Sequence, residues 1–284
     1  YLCLSNGKKL RPMLHLLATR AFNPAGIVSV QLATAMELIH VATLLHDDVI
    51  DRAVVRRGQP SVNARWGDDV AILMADYLYA AAFELMLRQL VPNALQLICK
   101  VTRRMCEGEM FQIERRGQWL LPEDYLHICT CKTAFLFSAC SGLGGELAGL
   151  PPDQVAQLAA FGLDFGLAFQ ITDDTLDYTA HDQLWGKAVG IDLASGKQTL
   201  PLILTLQSAE PAERFRLEQA RATGDNSTLV LEAIGRHRAI ERSMDLARAH
   251  ARQAVASLQG LEACDPIALE YLLALPEYVI ERRY

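Results

Sequence analysis

The 284 residues contain no G-x-x-x-x-G-K-[ST] run, which argues against a P-loop nucleotide enzyme. They also lack G-x-S-x-G and any Ser/His/Asp signal of acyl transfer. No sustained period-two alternation marks a strand. Excess positive charge is missing too. Lys and Arg number 27 against 33 Asp and Glu, a net charge of −6, so no general attraction to nucleic acid is expected. No run of about 18 apolar residues occurs, and no membrane-spanning stretch is expected. No signal peptide is read at "YLCLSNGKKLRP", and the expected location is cytoplasmic. Seven cysteines include a C-x-C at Cys129 and Cys131, but no partner pair gives a zinc spacing. On a helix two such residues point about 200° apart. The cysteines are expected as small buried apolar groups in a reducing cytosol.

What is present is helical. The chain is 51% hydrophobic, dominated by Ala and Leu recurring at three and four. From Val30 to Asp51, residues Leu32, Ala35, Met36, Ile39, Thr43 and Asp47 fall along one side. Breaks fall near Pro24, Gly58-Gln59-Pro60, Pro92, Pro122, Pro151-Pro152, Pro211 and Pro266. The pattern predicts an all-α bundle in one domain spanning 1–284, with some helices apolar on most faces. Gly142 to Gly149 is Gly-rich, kept apolar by Leu143, Leu147 and Leu150, and reads as close helix packing, with a hinge as the alternative. Ser208 to Asn226 is more polar and reads as a solvated periphery.

Two stretches, "TLLHDDVID" and "FQITDDTLD", each end an apolar helix on D-D-x-x-D. On a helix, residues i and i+4 share a face about 6 Å apart. Asp47 therefore aligns with Asp51 and Asp173 with Asp177, while Asp48 and Asp174 sit about 100° round. Carboxylates without Cys or His are hard oxygen donors, suited to Mg²⁺, which shares its shell with phosphate oxygens. One copy alone would read as a solvated acidic helix end; two copies in apolar surroundings favour metal. Cations cluster nearby in sequence. Lys8 and Arg11 lie in "GKKLRP", Arg56 and Arg57 in "RRG", Lys132 with Thr133 in "KT", and Lys187 and Lys197 in "GKAVGIDLASGKQTLP". Each alone reads as a surface charge; together with Mg²⁺ they suit pyrophosphate.

These motifs, with "ELIHVATLLHDDVIDRAVVRRG", "GEMFQI", "KTAFLF", "FQITDDTLDYT" and the C-terminal "YVIER", resemble the trans-isoprenyl diphosphate synthase family, closest to its long-chain octaprenyl type. The resemblance covers essentially the whole chain. It implies a bundle of mostly antiparallel helices around a deep cavity, and a homodimer. It implies three Mg²⁺, with Mn²⁺ able to substitute: Asp47 and Asp51 on two ions, Asp173 on the third, and Asp48, Asp174 and Asp177 as further or water-mediated ligands. Arg56, Lys132, Lys187 and Lys197 would hold an allylic diphosphate. Lys8, Arg11, His40 and Arg57 would hold isopentenyl diphosphate. Thr133 and Gln170 would lie beside the reacting carbons, and His46 would pack or support a ligand. Peripheral membrane contact is expected only for product release.

The departures are small. Ala75 stands where that family usually has Gly, Gln198 replaces a small apolar residue, and the helix usually preceding "GKKLRP" is expected to be largely absent. The implied reaction is ionisation of the allylic diphosphate, attack by the double bond of isopentenyl diphosphate, and proton loss to the departing diphosphate. Small residues at Ala42 and Thr43, one turn before Asp47, would leave room for a growing chain. Met36 lies about 16 Å from Asp47 at roughly 1.5 Å per residue, and the resemblance to the long-chain type implies a product of about forty carbons. The alternatives are a shorter-chain synthase of fifteen to twenty carbons, a terpene cyclase, or a non-catalytic regulatory subunit.

Overall fold

In this computed structural model, residues 7–23, 29–56, 58–89, 91, 93–179, 197–223 and 227–282 are described. The helices are α1 (Leu10–Phe22), α2 (Val30–Ile50), α3 (Val62–Trp66), α4 (Asp68–Leu87), α5 (Ala94–Glu114), α6 (Pro122–Cys129), α7 (Phe135–Leu147), α8 (Pro152–Leu176), α9 (Leu200–Ser208), α10 (Pro211–Thr223), α11 (Ser227–Arg236), α12 (Ala239–Ser257) and α13 (Pro266–Glu281). A hairpin of two-residue strands, β1 (Val55–Arg56) and β2 (Gln59–Pro60), follows α2, and a π-helical turn, Thr130–Ala134, joins α6 to α7. The all-α expectation holds. Pro122, Pro152, Pro211 and Pro266 each open a helix, where the missing N–H costs nothing and the fixed φ suits the first turn.

The chain divides into two compact units. The first comprises 1–100, 139–159 and 261–272. Here α2 packs on α1 and α4, with Leu14, Leu32, Met36, Ile39 and Leu45 fully buried. Each such side chain contributes about 1.5–3 kcal/mol of burial. Ser29 caps α2, its Oγ accepting from Leu32 N–H at 3.0 Å. Small residues bring α2 and α4 together: Ala42, Leu45, Val62, Ala71 and Ala75 form one cluster. The methyl of Ala75 is fully buried there. The Gly142–Gly149 stretch is close packing as expected. A Cβ on Gly144 would stand 2.8 Å from that of Ala18, and one on Gly145 would stand 2.6 Å from Leu158 Cδ1.

The second unit comprises 101–138, 160–260 and 273–284. Phe137, Phe161 and Phe165 are its largest fully buried side chains, with Phe137 and Phe165 edge-to-face at 5.1 Å. The polar Ser208–Asn226 stretch is mostly the helix α10, which buries Leu217 and Ala220 and is otherwise largely exposed.

Two expectations need correction. Three stretches, Asp68–Leu87, Pro122–Leu147 and Pro152–Leu176, are long and apolar enough to cross a membrane by length and composition. Asp76, Glu84, Lys132 and Asp164 interrupt the apolar runs in these stretches, so none is an unbroken apolar run in the sequence. The cysteines divide. Cys129, Cys131 and Cys140 are buried, and burial raises their thiol pKa values; Cys99, Cys106 and Cys264 are exposed.

Candidate active site

The first aspartate motif closes α2. Asp51 caps the helix and its N–H donates to Asp47 O at 2.8 Å, so the four-residue stack expected from spacing is present. Asp47 is half-buried and Asp51 exposed, but Asp48 is fully buried. Its Oδ1 accepts from Arg56 Nε at 2.7 Å. The hairpin carries Arg56 back to the helix end. Ala53 N–H donates to Asp48 O at 2.8 Å, and Asn63 Nδ2 donates to Asp48 O at 3.2 Å and Ala53 O at 3.1 Å. Asp48 and Arg56, expected on a metal and on a diphosphate, therefore contact each other. Arg57 lies outside the described residues.

The other candidate diphosphate-binding residues described in this unit lie around the start of α1 and on α2. Lys8 is exposed, Arg11 is buried in the first turn of α1, and His40 is half-buried in α2. Lys9 Nζ, between them, donates to Glu37 Oε1 at 2.8 Å. One turn beyond Arg11, His15 is fully buried and its Nδ1–H donates to Cys140 O at 3.1 Å. Burial lowers its pKa to about 4, so the ring is neutral. Sequence reasoning passed over it. His46 stands 3.6 Å from Asp76 and beside the Tyr79 ring, a packing position as expected. Ala42 sits in the cluster against α4, whereas Thr43 is half-buried with its hydroxyl on His40 O at 2.7 Å.

The second motif closes α8. Asp173 is exposed, and Asp174 and Asp177 are both half-buried. Asp174 is turned inward: Oδ2 accepts from Tyr125 OH at 2.6 Å and Oδ1 from Gln170 Nε2 at 2.8 Å. Gln170 Oε1 in turn accepts from Thr133 Oγ1 at 2.8 Å. Thr133 and Gln170, both expected beside the reacting carbons, are hydrogen-bonded to each other. The Tyr125 phenol pKa is raised well above its usual value, by burial first and by the Asp174 charge second, so the hydroxyl remains a donor.

Lys132 and Thr133 ride on the π-helical turn, closed by Phe135 N–H donating to Thr130 O. Single π-turns inside helices widen the backbone and occur often at functional sites. Two glycines allow neighbours to close on it. A Cβ on Gly108 of α5 would stand 2.6 Å from Cys131 Cβ, and one on Gly166 of α8 would stand 2.6 Å from Ala134 Cα. Lys132 is ion-paired with Glu109 and donates to Gln112 Oε1 at 3.0 Å. This gives "GEMFQI" a physical role: its Gly admits the turn, and its Glu and Gln orient the ammonium. Lys197 is exposed; Gln198 bridges Gln118 O at 2.6 Å and Leu120 N at 3.1 Å. Lys187 lies outside the described residues.

The profile of the polyprenyl synthetase family matches residues 1–235. The chain belongs to the polyprenyl synthetase family. It is 36% identical to the short chain isoprenyl diphosphate synthase of Methanothermobacter thermautotrophicus, over 100% of this chain and 89% of that one. It is 35% identical to the octaprenyl diphosphate synthase of Escherichia coli, over 99% of this chain and 88% of that one. Its fold matches a polyprenyl synthase from Caulobacter crescentus, crystallised with calcium and isoprenyl diphosphate, with a TM-score of 0.88, 35% identity and 100% and 87% coverage. Relatives of similar identity thus span short and long products.

Among the described residues of this polyprenyl synthetase, no three His, Cys, Asp or Glu side chains gather to hold an ion unaided. Asp47 and Asp51 in the first unit, and Asp173 and Asp177 in the second, are hard oxygen donors of the kind a divalent ion takes alongside water and phosphate oxygens. Sequence reasoning missed Tyr125, Glu109, Gln112 and Arg282. The second and third were signalled by "GEMFQI" and the last by "YVIER".

Proposed function

We propose that this prenyltransferase condenses isopentenyl diphosphate with an allylic diphosphate to give an all-trans polyprenyl diphosphate of about forty carbons. The observation that carries the reading is shared by both motifs. In each D-D-x-x-D the second aspartate is held by a side-chain hydrogen bond, and the first is less buried than the second. We assign Asp47, Asp51, Asp173 and Asp177 to divalent metal, three Mg²⁺ in all, and give Asp48 and Asp174 the task of fixing their neighbours. Divalent ions would supply charge neutralisation for the departing diphosphate.

The chain's own groups supply position. Lys132, braced by Glu109 and Gln112, offers a fixed ammonium to a phosphoryl oxygen of the allylic substrate. Arg56 and Lys197 join it, and Lys8, Arg11, His40 and Arg57 take the diphosphate of the second substrate. The Thr133–Gln170 pair presents a neutral polar surface to the reacting carbons, which disfavours early capture of the allylic cation by a strong nucleophile. The proton lost from the condensed product passes to the released diphosphate. Thr43 borders the path of the growing chain.

A second copy of the chain is the expected partner. On α4, Val70, Leu73, Met74 and Tyr77 form one exposed apolar stripe, Leu73 and Tyr77 being 68% and 69% exposed. Replacing Leu73 and Tyr77 together by Glu should convert a dimer to a monomer in light scattering.

The function is tested with Asp47→Ala and Asp173→Ala in saturating Mg²⁺, following isopentenyl diphosphate incorporation. Each should lower kcat by about a hundredfold or more, since each removes charge stabilisation needed as the diphosphate leaves. Losses below tenfold for both would exclude the assignment.

A further inference from the structure

Arg282 lies one residue beyond α13, yet its side chain is only 5% exposed. Its Nη2 donates to Asp173 Oδ1 at 2.9 Å and to Phe169 O at 3.3 Å. Its Cζ stands 4.5 Å from the centroid of the Phe169 ring, a cation–π distance. Its Nε is buried and has no hydrogen-bond partner among the described residues. A buried guanidinium normally uses its donors, because an unmade bond leaves the desolvation cost uncompensated. Here a spare donor is held beside a carboxylate assigned above to metal, and that carboxylate is 57% exposed.

We propose that Arg282 is a cation placeholder: in the metal-free protein it neutralises Asp173, and it yields Asp173 Oδ1 when a divalent ion arrives. The proposal rests on the metal role given to Asp173. A single positive charge on the same oxygen opposes a double one, so the ion must displace the hydrogen bond before it binds at full strength. The Phe169 ring and carbonyl would keep the guanidinium in place after Asp173 lets go. Arg282 would not swing into water, and its freed Nη2 would be available to a phosphoryl oxygen, which a guanidinium fits well. The opposite design, an arginine that orients Asp173 and so strengthens metal binding, predicts the opposite sign.

The test measures Mn²⁺ binding by electron paramagnetic resonance without substrate, on the full chain and on Arg282→Gln, Phe169→Leu and Asp173→Asn. Arg282→Gln should tighten Mn²⁺ binding about two- to fivefold, the range open to a partly exposed ion pair. Phe169→Leu, which loosens the platform without removing the charge, should shift it the same way by less. A merely structural role for Arg282 would not tighten metal binding. Unchanged or weaker binding in a folded Arg282→Gln would overturn the proposal. If that variant does not fold, unchanged or weaker binding in Phe169→Leu would overturn it instead. Asp173→Asn separates the two failures. If it weakens Mn²⁺ binding while the other variants leave it unchanged, only the placeholder is wrong. If it leaves Mn²⁺ binding unchanged, the metal role of Asp173 is wrong as well.

Discussion

Tyr125→Phe removes one oxygen and leaves the ring volume intact. In the parent the phenol donates to Asp174 Oδ2 at 2.6 Å from a fully buried position, and burial keeps it protonated. A hydrogen bond to a charged group is worth about 1.5–3 kcal/mol. The substitution removes the bond on Oδ2 and keeps that from Gln170 on Oδ1, so the carboxylate is held less firmly and the loosening reaches Gln170 and then Thr133. We expect a loss of about 2 kcal/mol in urea unfolding. We also expect kcat for condensation to fall about tenfold, as expected when positioning is loosened. Far-ultraviolet circular dichroism of Tyr125→Phe should stay native. If the variant unfolds within about 0.5 kcal/mol of the parent, the range of neutral surface changes, and keeps its kcat, the buried network does not order the site.

Other outcomes follow from single contacts. Burial lowers the His15 pKa in the folded protein to about 4, from an ordinary value of 6.5. The unfolded chain therefore binds the proton more readily, and stability falls as pH drops from 6.5 towards 4, by up to about 3 kcal/mol; His15→Leu should flatten that part of the stability–pH curve, and an unchanged slope would exclude His15 as its source. Thr43→Phe should shorten the product while substrate is still consumed, as chromatography of the dephosphorylated lipid would show. Ala42→Phe should instead lower thermal stability, because Ala42 is enclosed in the α2–α4 cluster; a stable Ala42→Phe with shortened product would return Ala42 to the chain-length wall. Arg11→Ala should raise KM for isopentenyl diphosphate and Lys197→Ala should impair the allylic substrate; a shift of only the allylic KM in Arg11→Ala would reverse the assignment.

Much of the architecture was legible because helices advertise their ends. Proline marks the first turn of α6, α8, α10 and α13. The four-residue spacing correctly placed Asp47 over Asp51 and set Asp48 and Asp174 off their line. What waited there was not legible. That Asp48 meets Arg56 depends on a hairpin returning over the helix end, and that Asp174 meets Tyr125 depends on a residue 49 positions away. The π-helical turn beneath Lys132 has no sequence signature of its own; it shows itself only in how closely Gly108 and Gly166 approach it. Arg282 was quoted within a motif but gained a role only through its 109-residue separation from Asp173. Local periodicity thus fixes which face a side chain takes, and distant parts of the chain decide what that face meets.

The most direct test is mass spectrometry of the dephosphorylated product after incubation with isopentenyl diphosphate, an allylic diphosphate and Mg²⁺. A metal-dependent linear all-trans polyprenol of about forty carbons is the predicted result. A cyclic hydrocarbon, or no condensation product from the folded protein, would contradict the account.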